Sequence, residues 1–199
     1  MPDTGAPWNI PYVAGTDLVS DWPTDSLALA NAIDAGLDAA AIAIGSNIVS
    51  TAKTDTFTTT STSYTTITGL TATITPTSAS NKILAIAVVN GAMQEITNAG
   101  GANIRLNDGT TTSDVGATAG SRIRSSLVFA RSAPNNTIIF SGTIVWLYSP
   151  ATTSAVTIEA EILRGGTAGT CYINRSQADS DATQYSRTAS TLTLIEVRG

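Results

Sequence analysis

Short runs in which apolar and polar residues alternate occupy most of the chain from residue 48 to residue 197. Alternation with a period of two puts successive side chains on opposite faces, which is typical of β-strands with one buried face. Turn-forming residues separate the runs, and no helical period lies among them. We therefore predict an antiparallel β-sandwich of jelly-roll type. The predicted strands are residues 48–52, 56–60, 65–75, 82–91, 103–106, 122–130, 137–148, 155–163, 170–174 and 191–197.

We predict that the stretch 137–163 forms a long antiparallel hairpin at the centre of the sheet domain. Residues 137–148 carry β-branched and aromatic side chains at both odd and even positions, which indicates a strand buried on both faces. Residues 155–163 alternate, with apolar residues on one face and polar residues on the other. Between the two runs, Pro150 lacks a backbone donor and marks the turn.

Residues 25–45 predict a short helix that sets a trimer axis. The segment is rich in alanine, Thr24 or Asp25 can cap its start, and Gly45 ends it. One face repeats at spacings of three and four, as in a two-heptad coiled-coil seam. This face either packs on the chain's own β-domain or forms a short three-helix bundle, and we prefer the bundle. The seam residues are Ala30, Ile33, Leu37, Ala40 and Ile44.

Residues 1–24 are dense in proline, which disfavours a helix and predicts an extended arm without a core of its own. The arm is too apolar for a solvated tail, so we predict that it docks on another protein of the same assembly. Its anchors are Trp8, Ile10, Tyr12, Leu18 and Trp22. The predicted organisation is thus an arm at 1–24, a helix at 25–45 and a β-sandwich knob at 46–199.

The charge of the chain narrows its partners. Only 13% of the 199 residues are charged, about half the usual share, which fits a subunit of an assembly better than a free monomer. The formal net charge of −5 argues against nucleic acid or an anionic membrane as partner. No run approaches the ~18 apolar residues of a membrane span, and the first residues do not have the pattern of a signal peptide. We expect a chain made in a cytoplasm.

Little in the chain predicts catalysis, and we expect neither enzymatic activity nor a cofactor. The chain contains no histidine, which excludes a Ser-His-Asp triad and a Cys-His pair. The one cysteine, Cys171, is predicted to be a small buried hydrophobe. Glu159 and Glu161 share a strand face, and a solvated outer face explains them better than paired acid–base chemistry. Asp179 and Asp181 offer oxygens to a cation such as calcium, but turn chemistry explains them better, and no metal site is predicted.

Two further groups of residues have alternative roles. Arg122 and Arg124 project from one side of a predicted strand and suit either an acidic or hydroxyl-rich glycan or an ion pair with the glutamates of the 155–163 strand, in the same or a neighbouring subunit. We prefer the ion pair. Trp146 and Tyr148 have rings that stack on sugars in other proteins, but in so apolar a strand we expect core or intersubunit packing.

Eight blocks of sequence, in this order, resemble a C-terminal domain that recurs in tailed-bacteriophage fibre and minor tail proteins. The resemblance covers residues 48–199, and a shorter one, carried by Ile10-Pro11-Tyr12 and the Leu27-Ala28 helix, is to the attachment segment that opens many phage appendage proteins. The blocks are KTDTF at 53–57, GL at 69–70, ITP at 74–76, SNKIL at 80–84, GSR at 120–122, SPATT at 149–153, YINRS at 172–176 and RTASTLT at 187–193, with Glu196 beyond them.

This resemblance implies a virion protein, a homotrimer attached through its arm to other tail or capsid proteins. The chain lacks a shaft repeat, a collagen-like run and an extended coiled coil, so we expect a short appendage in which the arm joins the knob almost directly. The expected role is adhesion to a host-surface glycan or protein. The alternative is a capsid decoration or head fibre protein with a structural or weakly adhesive role, whereas a glycan-degrading tailspike is disfavoured because β-helix repeats are missing.

Overall fold

A computed structural model of the chain describes residues 22–42, 47–94, 99–130 and 137–199. These residues contain one helix, α1 (Trp22–Ile42), and two compact units, of which the second runs from Asn47 to Val197. The strands are β1 (Ile48–Lys53), β2 (Phe57–Thr59), β3 (Thr65–Ile74), β4 (Lys82–Met93), β5 (Ala99–Asn107), β6 (Leu127–Phe129), β7 (Phe140–Tyr148), β8 (Val156–Gly166), β9 (Cys171–Ile173) and β10 (Ser190–Val197).

The helix α1 begins earlier than the sequence pattern predicts. It starts at Trp22 and includes Pro23, so Thr24 and Asp25 lie inside its first turn, and the predicted cap at these residues is wrong. Proline is compatible with a first turn because its missing N–H would have no partner there and its fixed φ is already helical. The helix also continues through Gly36.

The strands form two antiparallel sheets, as predicted for a mainly β chain. The six-stranded sheet has the order β1-β10-β4-β9-β2, with β7 on the second edge of β4. The four-stranded sheet has the order β3-β8-β5-β6. Apolar residues from the inward faces of both sheets form a single hydrophobic core, so the sheets enclose it between them as in a β-sandwich. The largest fully buried side chains include those of Phe129, Ile67, Leu70, Ile104, Leu106, Ile158 and Leu192.

Two of the strands in the six-stranded sheet are interrupted. β10 pairs with β1, and β9 pairs with β2 in the same antiparallel sense, so β9 and β10 continue one line across the sheet. Both also pair with β4. β10 pairs with residues 82–88 of β4, and β9 pairs with residues 91–93 of β4. Residues 174–189 leave this line between the two strands, and we call them the excursion. The sheet therefore has four lines of strand: β1 with β2, β10 with β9, β4, and β7.

The predicted central hairpin is wrong. β7 pairs with β4 in the six-stranded sheet, whereas β8 pairs with β3 and β5 in the four-stranded sheet. The connection around Pro150 thus crosses from one sheet to the other instead of turning within one. The nine residues of β7 also have only one buried face, because Val145 and Leu147 are 61% and 53% exposed. Val145 and Leu147 place apolar side chains on the exposed face, and for this reason the sequence pattern predicted a strand buried on both faces.

Each predicted strand overlaps an observed one, and the largest difference is at residues 122–130, where only Leu127–Phe129 is a strand. The registers also define the two ends of the sandwich. The end that carries Asn47 also carries the β3–β4 and β7–β8 connections, because β3 and β7 both end there. The β2–β3 connection, residues 60–64, and the β8–β9 connection, residues 167–170, lie at the opposite end, which we call the far end.

Candidate interaction surfaces

The outer face of the six-stranded sheet is uncharged over three consecutive rows of residues, and we call these rows the apolar face. Each row crosses four strands in the order β1, β10, β4, β7, and every member is exposed or partly exposed. The rows are Ile48–Ile195–Leu84–Leu147, Ser50–Thr193–Ile86–Val145 and Ala52–Thr191–Val88–Thr143. Because these residues alternate with core residues, the sheet is apolar on both sides over this area.

The outer face of the four-stranded sheet is polar. Arg105 of β5 lies opposite Glu161 of β8, and its Nε donates a hydrogen bond to Glu161 Oε2 at 2.7 Å. The Arg105 guanidinium also lies 3.9 Å from the centre of the Tyr64 ring, in cation–π geometry. On the next strand, Thr66 donates to Glu159 Oε2 at 2.8 Å. Tyr64 and Arg105 cover Glu161, which is buried and bonded to Arg105. The prediction that it lies on a solvated outer face is therefore wrong for Glu161.

The predicted ion pair of Arg122 and Arg124 with the β8 glutamates does not form within the chain. Glu161 pairs instead with Arg105, while Arg124 donates from Nε to the carbonyl oxygen of Gly116 at 2.6 Å. Arg122 and Arg124 precede β6 and lie in a connection rather than a strand. The sequence pattern predicted that the β8 glutamates form an ion pair. It missed Arg105 as the partner because two strands, β6 and β7, separate β5 from β8 along the chain.

The described aromatic side chains are all at least partly buried. Trp146 is buried and stacks on Tyr148 with ring centres 4.5 Å apart, so the prediction that Trp146 packs in the core is confirmed. Arg175 covers Tyr172 as Arg105 covers Tyr64, at 4.7 Å from the ring centre. No aromatic side chain described in these ranges is in the exposed class. The described part of the knob therefore lacks an open platform for sugar stacking.

The excursion is held by an arginine–aspartate–arginine cluster. Asp179 accepts two hydrogen bonds from Arg187, at 2.8 Å and 2.7 Å, and its Oδ2 lies 3.3 Å from Arg175 Nη1. The Asp179 carboxylate, which was a candidate cation ligand on the sequence, is therefore paired with two guanidinium groups. Within the described residues, no group of three or more potential metal ligands comes together.

Asp108 shapes the turn that follows β5. Its Oδ1 accepts the backbone N–H groups of Thr110 and Thr111, and its Oδ2 accepts the Tyr148 hydroxyl. Burial works to raise the pKa of Asp108, but the bonds from Tyr148 and the two threonines outweigh it and lower the pKa below its ordinary value. Burial and the bond to Asp108 raise the pKa of Tyr148. The carboxylate of Asp108 therefore stabilises the turn after β5.

Several blocks that carry the phage resemblance meet at Asn174. This buried residue has a φ of 62°, and its Nδ2 donates to the carbonyl oxygens of Lys53 and Asp55 at 2.8 Å and 2.9 Å. Its Oδ1 accepts the Ser190 hydroxyl at 2.6 Å. Asparagine tolerates this left-handed conformation better than most residues, and its amide ties both ends of the excursion to β1. The resemblance covers these residues, but the sequence pattern did not predict that they are in contact.

Glu196 forms a second junction, at the end of the domain that carries Asn47. Its carboxylate accepts hydrogen bonds from Asn47 and Asn81 side chains and from both the N–H and the hydroxyl of Thr77. Burial acts to raise the pKa of Glu196, but these donors outweigh it and lower the pKa to about 2. Residues of the resembling blocks thus form structural junctions at Asn174 and at Glu196.

Cys171 is a buried free thiol beside Met93, as predicted for a small hydrophobe. Burial raises the pKa of the Cys171 thiol to about 12, so it carries almost no thiolate at neutral pH.

The residues predicted for docking and trimerisation are only partly within the described ranges. Trp8, Ile10, Tyr12, Leu18 and Ile44 lie outside them, and for Trp22, Leu37 and Ala40 only the helical backbone is described. On α1, Ala30 and Ile33 are exposed together with Leu27. No helix in the described ranges is long and apolar enough to cross a membrane.

Comparison with known proteins adds no assignment. The chain matches no protein-family model, and the search of curated proteins gives no match.

Proposed function

We propose that this chain is a non-enzymatic virion appendage protein of a tailed phage, a tail fibre or minor tail protein made in the host cytoplasm. Its arm docks on other virion proteins, its helix joins three copies, and its β-sandwich knob binds a host-surface glycan or protein. No cofactor takes part. The proposal rests on the residues that resemble phage appendage domains and on the strand order of the knob.

The strand order is the observation that carries the proposal. When β1 with β2 and β9 with β10 are each counted as one strand, the knob has eight strands in chain order. One sheet then reads first, eighth, third, sixth, and the other reads second, seventh, fourth, fifth. This is the order of a jelly roll, an architecture frequent in viral capsid and lectin domains. Both roles suit a displayed, ligand-binding particle protein.

The helix and the arm support assembly. Leu27, Ala30 and Ile33 follow one another at a spacing of three on α1 and are all exposed in the single chain. A partner copy that covers this stripe would remove apolar surface from water. The aromatic anchors of residues 1–24 suit a docking peptide, and the low fraction of charge suits a subunit that is never free for long.

A role in adhesion fits the knob better than catalysis does. The two carboxylates that share a strand face, Glu159 and Glu161, are engaged by Thr66 and Arg105, respectively, and the chain has no histidine. Host contact would fall to the connections at the far end, because the chain enters the β-sandwich through Asn47 at the other end.

One observation favours the second candidate, a capsid decoration or head fibre protein with a structural or weakly adhesive role. No described aromatic side chain is more than partly exposed, and two of the rings lie under arginines, so the described surface lacks the open sugar platform that strong glycan binding commonly uses. A head fibre needs no such platform.

Competition for adsorption tests the first candidate against the second. Purified full-length protein, added to host cells before phage, is expected to slow adsorption in a dose-dependent manner. The double variant Thr62→Arg/Thr167→Arg, at exposed far-end positions, should lose this effect. Thr153→Arg, an exposed threonine at the Asn47 end, should keep it. If the wild-type protein neither binds cells nor slows adsorption, the adhesive function is wrong and the head-fibre candidate takes its place.

A further inference from the structure

We infer that the apolar face is the surface through which copies of the knob associate. The occupant is a second copy of this chain, and the inference rests on the proposed trimer while adding the surface that builds it. The twelve residues of the three rows include eight apolar ones and four serines or threonines, with no charged side chain. Lys82, one row beyond, is at the rim.

The exposure of this face is concentrated at its two edge strands. Ile48 in β1 is 55% exposed, and Val145 and Leu147 in β7 are 61% and 53% exposed. Four strands about 4.8 Å apart and three rows about 6.7 Å apart cover roughly 400 Å². That is within the range of the largest apolar patch on a typical monomer, and such patches commonly mark interaction sites.

The chemistry of the face selects a copy of itself as partner. Three such faces can converge on a threefold axis without removing any charge from water, whereas burial of an unpaired charge is costly. The cores of interfaces between identical subunits have this apolar composition. A partner found by electrostatic steering, or a glycan, would need charged or hydrogen-bonding side chains. The polar face on the other sheet carries these groups in Arg105 and Glu161.

The area of the face also explains why the chain would combine it with a helix. A standard interface takes about 800 Å² from each partner, about twice what the apolar face offers. A two-heptad helix is itself marginal as an isolated association element. The exposed stripe of α1, which includes Leu27 and Ile33, supplies a second contact in the same assembly. Each contact raises the effective concentration of the other.

Distance measurements on the full-length chain test the inference. Val145→Cys provides an exposed thiol for a spin label, and the buried Cys171 of the unsubstituted chain serves as the labelling blank. Thr157→Cys, exposed on the polar face, is the matched control. If the faces of three copies converge on the axis, labels at Val145 should be close between copies. Labels at Thr157 should be on the order of 20 Å farther apart, because each lies on the far side of its sandwich from the axis.

Sedimentation velocity on the same samples separates this inference from the proposed function. An oligomer with the shorter distances at Val145 supports both. An oligomer with the shorter distances at Thr157, or with distant labels at both positions, overturns the inference and leaves the trimer standing. Distant labels at both positions are also the result expected if the chain's own arm covers the apolar face. A chain that stays monomeric at all concentrations overturns both.

Charge substitution gives an independent test that does not depend on a label. Val145→Lys/Leu147→Lys should weaken association at least tenfold. Association of this variant would remove less apolar surface from water, and it would bury two ammonium groups on each copy. Thr157→Lys should change it less than twofold. Far-ultraviolet circular dichroism checks that the variants remain folded. Association of the double variant within twofold of the wild type contradicts the inference.

Discussion

The side-chain amide of Asn47 donates a hydrogen bond to Glu196 Oε2 at 2.8 Å, which joins the first described residue of the β-sandwich to its last strand. The other carboxylate oxygen of Glu196 accepts the Thr77 N–H and the Asn81 amide, both at 2.6 Å. A single buried carboxylate therefore closes the end of the domain at which the chain enters.

Glu196→Gln should lower the free energy of unfolding by about 2 kcal/mol at pH 7, because the glutamine Nε2 would face hydrogen-bond donors. The folded pKa of about 2 is below the ordinary value of 4.5, so the charge stabilises the fold fully above pH 4.5. This stabilisation is lost progressively as the pH falls from 4.5 through about 2. Urea titrations at pH 7, 5, 4 and 3 should show the difference between wild type and variant shrink only below pH 4.5.

Asp181→Asn is the control, since it removes the same charge from an exposed position in the excursion. It should change the unfolding free energy by less than about 0.5 kcal/mol. A Glu196→Gln effect equally small, or one that stays constant down to pH 3, would show that the four donors do not stabilise the carboxylate.

Gly91→Ala should destabilise the knob by about 3 kcal/mol. A Cβ atom on Gly91 would lie 2.3 Å from the backbone carbonyl oxygen of Tyr172, in the region where β4 changes partner from β10 to β9. Gly116→Ala is the matched control, because a Cβ atom there meets nothing within 4 Å. Thermal denaturation of the two variants should separate them by several degrees, and equal melting temperatures would contradict the close packing of β9 on β4.

Arg105 and Glu161 should behave as a coupled pair in a double-mutant cycle. Arg105→Met should cost about 3 kcal/mol by stranding a carboxylate whose side chain is only 10% exposed. Glu161→Leu should cost less, because the Arg105 side chain is 25% exposed and can reach water. The double variant should be more stable than Arg105→Met alone, and strictly additive losses in urea titrations would argue against coupling. Arg187→Met, in the exposed cluster with Asp179, should cost under about 1 kcal/mol.

The helical seam makes a prediction of its own. Ile33→Lys should weaken self-association of the full-length chain at least tenfold, because it places a charge in the proposed contact between helices. Asn31→Lys, at an exposed position on a different side of the helix, should have little effect. Sedimentation equilibrium measures both. Similar association constants for the two variants would exclude the seam as a contact.

Local patterns in the sequence predicted most of the strands, because alternation reports the half-buried state of each segment directly. They did not predict the partners. β7 and β8 are neighbours in the chain and were expected to pair, yet the connection at Pro150 carries the chain from one sheet to the other. Alternation also did not reveal that β9 and β10 continue one line, because residues 174–189 separate them.

The junctions were less predictable than the strands. Glu161 has the spacing of a solvated residue, and only the approach of Arg105 and Tyr64 buries it. Asn174 was predicted to be the last residue of a strand, and its bonds to Lys53 and Asp55 depend on residues more than a hundred positions away. The apolar face was missed for the same reason, since its rows exist only once β1, β10, β4 and β7 are side by side.

Gold-labelled antibody against the knob, imaged on intact virions by electron microscopy, tests the central claim that this chain is a virion appendage. The account predicts label on the particle, and label at the tail tip or baseplate fits the adhesive tail protein. Label spread over the head would make the chain a capsid fibre instead. Particles without label, from lysates in which the same antibody detects the protein, would contradict the account.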